Sequence, residues 1–359
     1  MSGLAPELPA LTGLRAVAAV WVSMTHIQGL NNEPLWFLAR GYLGVDIFFI
    51  LSGFVLTHVY GEAFRHPSWP EFRRYLGLRL GRIWPGYLTV LVIIVAISAG
   101  VGAMGRQQLP QLDSTYWFTA LVHGLMLQSW GLGVEVETFN GPAWSVSSEM
   151  VGYVLLPVLI AMVWRCSWRG MAMVLVAAAA SVILASLMHA DGLRAAVGIN
   201  GMPRALGEFV AGIVLYRMST GTASLPWDRI GWLALSLVAT IVAISPAASH
   251  YDLPVIVGLA ALVPCLAHAD GSLHRFFTHP ALLWLGKISY GIFLTHILAI
   301  LIMVTIAKRI GWPDAPFSAR AVALIVAAMA LTLGAGAALY YLVEHPARQW
   351  VRRRIGSHP

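Results

Sequence analysis

The stretch Leu11–Ile27, LTGLRAVAAVWVSMTHI, decides the fold. It sits in an apolar run of about 20 residues, the length a membrane helix needs, yet it carries Arg15 and His26. An ionisable side chain in hydrocarbon costs roughly 3 kcal/mol or more, so by default it faces a protein interior or a cavity. At about 1.5 Å per residue the two lie roughly 16 Å apart, close to three full turns, and so share one helix face. Taken singly, Arg15 snorkelling to headgroups and His26 sitting at the interface is an equally simple account.

The rest of the chain agrees with a membrane reading. Of its 359 residues 58% are hydrophobic and 11% charged, whereas a soluble domain has about 45–50% apolar and about 25% charged residues. Fourteen tryptophans suit two membrane–water interfaces. Ten spans are expected in all, that one included, at about 10–30, 41–60, 83–104, 143–164, 170–190, 203–218, 230–247, 253–270, 283–307 and 319–343. The expected fold is an all-α polytopic membrane protein of about ten helices, with one re-entrant or interfacial helix near 114–131. Residues 1–348 form one transmembrane domain and 349–359 a basic tail.

Net charge is +7, and all basic residues except Lys287 and Lys308 are arginine. With 114–131 not spanning and the N-terminus inside, fourteen arginines fall on the inner side and seven basic residues outside. That bias fits the positive-inside rule and puts both termini in the cytoplasm. The charge is spread over many short loops, which argues against nucleic acid as a partner. Cys166 and Cys265 have no CxxC or metal-ligand spacing. The first helix has no basic flank before it or A-x-A site after it, so it is expected to be retained.

The helix directions then sort the intramembrane polar residues by depth. His26, Asp46, Glu149, Arg204 and Glu208 fall in the outer half; Arg15, Arg79, Arg82 and Lys287 lie on the inner side. The inner set suits an anionic, phosphate-bearing cytoplasmic ligand; the outer set suits general acid–base work on a hydroxyl. Simpler accounts exist for several. Asp46 can pair with an arginine, Arg204 and Glu208 can neutralise each other at i,i+4, and Ser145, Ser147 and Glu149 can cap a helix. His296 falls near mid-membrane. HExxH, GxSxG and Walker A patterns are absent from the sequence. On these residues alone a secondary transporter or exporter is a close alternative.

Seven segments in order, from LTGLRAVAAVWVSMTHI through GYLGVDIFFILSGFVL, FRRYLGLRLGRIWPGYL, PAWSVSSEM, RALGEFVAGIV and LGKISYGIFLTHILAI to YYLVEHPAR, resemble the acyltransferase-3 family of integral membrane acyltransferases. The resemblance implies Arg15 and His26 as essential positions. It also implies a cytoplasmic acyl-CoA donor, usually acetyl-CoA, and as acceptor a hydroxyl of a surface or exported glycan or a lipid-linked sugar. A bacterial inner-membrane, stand-alone member of glycan O-acetyltransferase type is the expectation. In that frame Arg15, Arg82, Arg79 and Lys287 hold the donor's phosphates or pantetheine arm. His26 is the general base, oriented by Glu149 or Asp46. Ser145, Ser147, Arg204, Glu208 and His296 are substrate or oxyanion candidates, and no metal is required. Thr12, Met150 and Thr295 stand where relatives often carry Asp, a second acid and Trp.

Overall fold

The computed structural model describes residues 7–31, 35–103, 114–221, 225–245, 251–313 and 315–356. The linker 105–113 and the last three residues of the expected tail lie outside them. The described residues are helical and contain no strand.

The elements run α1 (Pro9–Ile27), α2 (Gly44–Tyr60), α3 (Trp69–Ala103), α4 (Ser114–Gly124), α5 (Trp144–Arg165), α6 (Trp168–Leu187) and α7 (Met202–Ser219). They continue with α8 (Trp227–Ile244), α9 (Asp252–His268), α10 (Ser272–Phe277), α11 (Pro280–Lys287), α12 (Ser289–Ile310), α13 (Ala319–Leu339) and α14 (His345–Ile355). Among the described residues, eight helices are long and apolar enough to cross a membrane. Of the ten expected spans, α7 and α9 fall short of that measure. α7 carries Arg204, Glu208 and Arg217 within 18 residues, and α9 has 17 residues.

α1 is central. Its buried positions run all round the helix, from Ala10 and Leu11 through Ala16, Ala18 and Ala19 to Val22 and Ile27, as expected of a helix packed on every side. It packs against α2, α11 and α12. By contrast α8 buries only Gly231, Ala234 and Val238, and its large side chains Leu233 and Leu237 face outward.

α2 crosses α7 at van der Waals distance of the backbones. A Cβ on Gly53 would lie 1.9 Å from the Phe209 carbonyl oxygen, and one on Gly212 2.2 Å from that of Ile50. Small residues at such a crossing are the usual device for close membrane-helix packing. Gly53→Ala is therefore expected to destabilise the protein by about 1–3 kcal/mol or more. Gly29→Ala, where a Cβ meets nothing within 4 Å, serves as the control. Thermal unfolding in detergent measures both, and equal melting temperatures would rule out the tight crossing.

Three segments depart from expectation. α3 begins at Trp69 rather than near 83, because the arginine-rich run before the apolar segment is itself good helix former and continues the rod. Arg79 and Arg82 thereby ride on the same helix as the span. The segment expected as one helix at 283–307 is broken between Lys287 and Ser289, and α11 abuts α1, with a Cβ on Gly286 only 2.1 Å from the Thr12 carbonyl oxygen. The basic tail is not a loose extension. α14 lies along α3, where Gly81 leaves room for Val351 and Gly77 for Ile355.

The stretch 114–131, expected as a re-entrant or interfacial helix, holds a helix too short to span. α4 has 11 residues, roughly 16 Å, about half the hydrocarbon thickness. The chain then turns at Met126, whose φ is 57°, and returns to the start of α5. Gln128 Nε2 donates to the Ala143 carbonyl at 3.1 Å, Ser129 Oγ to Trp144 at 2.9 Å and the Trp130 indole N–H to Ser147 at 3.2 Å.

Candidate active site

A cavity of about 110 Å³ opens between α1, α2, α3, α5 and α12. Its lining includes Phe48, Phe49 and Phe293, the charged Arg15, Arg79, Arg82 and Glu149, and the hydroxyl-bearing Ser145, Tyr153 and Tyr290. The volume holds several waters or a short acyl chain, and its chemistry is unequal: three guanidinium groups to one carboxylate. Glu149 is fixed by α2 and by its own helix. It accepts hydrogen bonds from Ser52 Oγ and from the Tyr153 hydroxyl, the latter at 2.7 Å. The Arg79 guanidinium lies 5.8 Å from the centre of the Tyr60 ring. The depth sorting that separated Glu149 from the arginines is thus corrected: all four share one cavity.

Beside this cavity is a residue that the sequence reading missed. Glu344 is 4% exposed and ends a π-helical turn, Tyr340–Glu344, that joins α13 to α14. Turns of this kind recur at functional sites. Its carboxylate is in electrostatic reach of Arg82, Arg15 and Arg348. Among the described residues it forms no ion pair within 4.0 Å. A lone acid in the apolar end of YYLVEHPAR was the available signal.

At the other end of α1, His26 meets His296 of α12. His26 Nδ1 is 2.9 Å from the Val22 carbonyl oxygen, and His296 Nδ1 is 2.7 Å from that of Phe293. A carbonyl oxygen only accepts, so in each neutral ring Nδ1 carries the hydrogen and Nε2 is left as a bare base. The ring centroids are 5.0 Å apart. A carboxylate was expected to orient His26; the main chain of its own helix does so instead. His296 is fully buried, and its Nε2 has no partner.

Asp46 and Arg204 form a third, separate centre. Arg204 Nε donates to Asp46 Oδ1 at 2.7 Å and Nη2 to Oδ2, while Nη1 donates to the Leu193 carbonyl at 2.8 Å. Both side chains are at most 1% exposed. Asp46 is therefore engaged with Arg204 and does not orient His26, and Arg204 pairs across to α2 rather than with Glu208 four residues on. Its fork is occupied, which removes it from the oxyanion candidates. Glu208 lies beside this pair, in the field of both partners.

The remaining candidates divide plainly. Ser147 Oγ donates to the Met126 carbonyl at 2.7 Å and accepts from the Ser129 N–H at 3.1 Å, so it splints the re-entrant turn to α5. Ser145 Oγ donates to the Pro142 carbonyl at 3.0 Å and faces the cavity. Lys287 is exposed at the end of α11 and is not among the cavity-lining residues.

The described residues thus form a multi-helix bundle with an arginine-lined cavity near one end of α1 and an imidazole near the other. The chain matches the model of the acyltransferase-3 family, described as an acyltransferase domain, over residues 8–341. It belongs to that family. Acyltransferase MdmB of Streptomyces mycarofaciens is 28% identical, over 97% of this chain and 93% of its own length. Nodulation protein 10 of Rhizobium leguminosarum bv. viciae is 27% identical, over 83% of each chain. Peptidoglycan O-acetyltransferase OatA of Listeria monocytogenes is 21% identical over 80% of this chain, which spans 49% of that protein. No solved structure matches the chain. The protein is a multi-pass membrane acyltransferase.

Proposed function

We propose that the protein transfers an acetyl group from cytoplasmic acetyl-CoA to a hydroxyl of a surface or exported glycan or a lipid-linked sugar. It would do so in a bacterial inner membrane, with both termini in the cytoplasm. The observation that carries this reading is the contact of His26 Nδ1 with the Val22 carbonyl oxygen at 2.9 Å, which fixes a half-buried ring and leaves Nε2 as the acceptor. Relatives that are named O-acetyltransferases support the acetyl group and the hydroxyl acceptor, and the arginine bias supports the orientation.

The residues divide the work. Arg15, Arg79 and Arg82 hold the donor's phosphates, since guanidinium forks bind phosphate oxygens in pairs. Glu149, held by Ser52 and Tyr153, limits the net positive charge of that wall. His26 Nε2 takes the hydroxyl proton as the oxygen attacks the thioester carbonyl. A tetrahedral adduct forms and the C–S bond breaks. The imidazolium returns the proton to the CoA sulfur, leaving an O-acyl ester and free CoA thiol. Arg15 and His26 stand roughly 16 Å apart along one rigid helix, so the phosphates and the thioester of one extended donor are addressed by one element.

Arg15→Ala tests the donor assignment. Inverted membrane vesicles containing the full chain are given acetyl-CoA, and acceptor-dependent CoA thiol release is followed. Loss of one charge-assisted contact is expected to raise KM for acetyl-CoA about 10- to 100-fold. An unchanged KM would remove Arg15 from the donor site, and release only from right-side-out vesicles would reverse the proposed orientation.

A further inference from the structure

We infer that the His26 end of the site binds a vicinal diol, one hydroxyl on His26 and its neighbour on His296; this rests on the O-acyl transfer reading. The two Nε2 atoms are both acceptors, because both Nδ1–H groups are already given to main-chain carbonyls. The rings are 5.0 Å apart and tilted by 49°, and two bare nitrogens cannot bond each other. One hydroxyl has one hydrogen and satisfies one ring. Two adjacent hydroxyls satisfy both.

A third group has the same sign. Asn140 Nδ2 donates to the Leu294 carbonyl at 3.0 Å, two residues before His296 on α12. That carbonyl fixes the amide's orientation. Asn140 Oδ1 is consequently turned away from it, buried and without a partner. Two imidazole acceptors whose Nδ1–H groups are engaged take hydroxyl hydrogens and disfavour carboxylates, carbonyls and phosphates, and the Asn140 oxygen adds a further buried acceptor on a residue bound to the same helix as His296. This acceptor set is chemically opposite to the three arginines of the cavity, whose guanidinium groups only donate. Each unpartnered buried acceptor is unfavourable until a donor arrives, so a ligand that brings two adjacent O–H groups is preferred over one that brings a single O–H. His296 is then a positioning residue. It holds the neighbouring hydroxyl and so aims the reacting one at His26.

The test uses the full chain in nanodiscs with acetyl-CoA and two probe acceptors, cis-1,2-cyclohexanediol and cyclohexanol. The wild type is expected to favour the diol in kcat/KM by about three- to tenfold, the range of one hydrogen bond. His296→Ala brings the ratio to about one, mainly through KM. His296→Gln, whose side-chain oxygen reaches the Nε2 position, keeps most of the preference. No preference in the wild type, as when water alone satisfies the pair, would overturn the inference. So would a ratio unchanged by His296→Ala. CoA release with neither probe would count against acyl transfer itself, and the diol site is then judged by binding alone. In ¹⁵N-histidine-labelled protein the diol is expected to shift two Nε2 resonances together, one lost in His26→Ala and the other in His296→Ala. Unmoved resonances would sink the site.

Discussion

His26→Ala lowers acyl transfer by about 10²–10⁴-fold, the contribution of one general base, and leaves the fold intact. The side chain is half-buried and its one hydrogen bond runs to its own helix, so its loss breaks no inter-helix hydrogen bond and removes only the ring contact with His296. His26→Gln is the sharper variant. Its carbonyl oxygen can accept a hydrogen bond near the Nε2 position but cannot take a proton at neutral pH. If binding of the hydroxyl were all that His26 did, His26→Gln would keep turnover; a proton acceptor predicts that it fails as His26→Ala does. CoA release measured against the amount of folded protein decides between them.

Asp46→Leu and Arg204→Met each destabilise the protein by about 3–5 kcal/mol, because each strands a buried charge. The double variant Asp46→Leu/Arg204→Met recovers most of that loss, since it removes both charges together. Unfolding in detergent by heat or denaturant gives the cycle. Activity separates this role from catalysis. Turnover per folded molecule in the double variant is expected to stay within a few-fold of wild type, because Asp46 faces Arg204 and the His26 ring is held by Val22. A specific loss of turnover in that variant, with stability restored, would return Asp46 to the reaction.

The spans were legible because apolar runs in a chain of this composition have only one destination. Charge obscured the edges. The Arg73–Arg82 run reads as a loop, yet it is the first part of α3. The three charges that take α7 below the measure for a span are the mark of its buried position. Site residues were legible as a set and illegible as pairs. Arg15, Arg79, Arg82 and Glu149 do meet in one cavity. Which acid meets which arginine depended on helix neighbours that no local spacing encodes. Arg204 chose Asp46 at 158 positions away over Glu208 at four. The same holds for His26 and His296, on helices at opposite ends of the chain. The break at Ile288 that separates α11 from α12 falls among Gly286, Lys287 and Ser289, polar and small residues that a single apolar span around them masked.

The long separation between Asp46 and Arg204 also has a consequence for the ribosome. At about 5–20 residues per second, Arg204 follows Asp46 by roughly 8–30 s. During that interval α2 is already out, with a carboxylate near its end and its future neighbour not yet made. Arg40 waits longer still for Ser245 and Asp252, its partners beyond α8. The nascent chain therefore passes through stages in which early helices carry charges without counter-ions. Either the insertion machinery shelters α1 and α2 until α7 arrives, or those helices enter with their acidic and basic ends still in water and settle late. Truncated nascent chains ending before and after α7 are expected to differ sharply in how firmly α2 resists extraction from the bilayer.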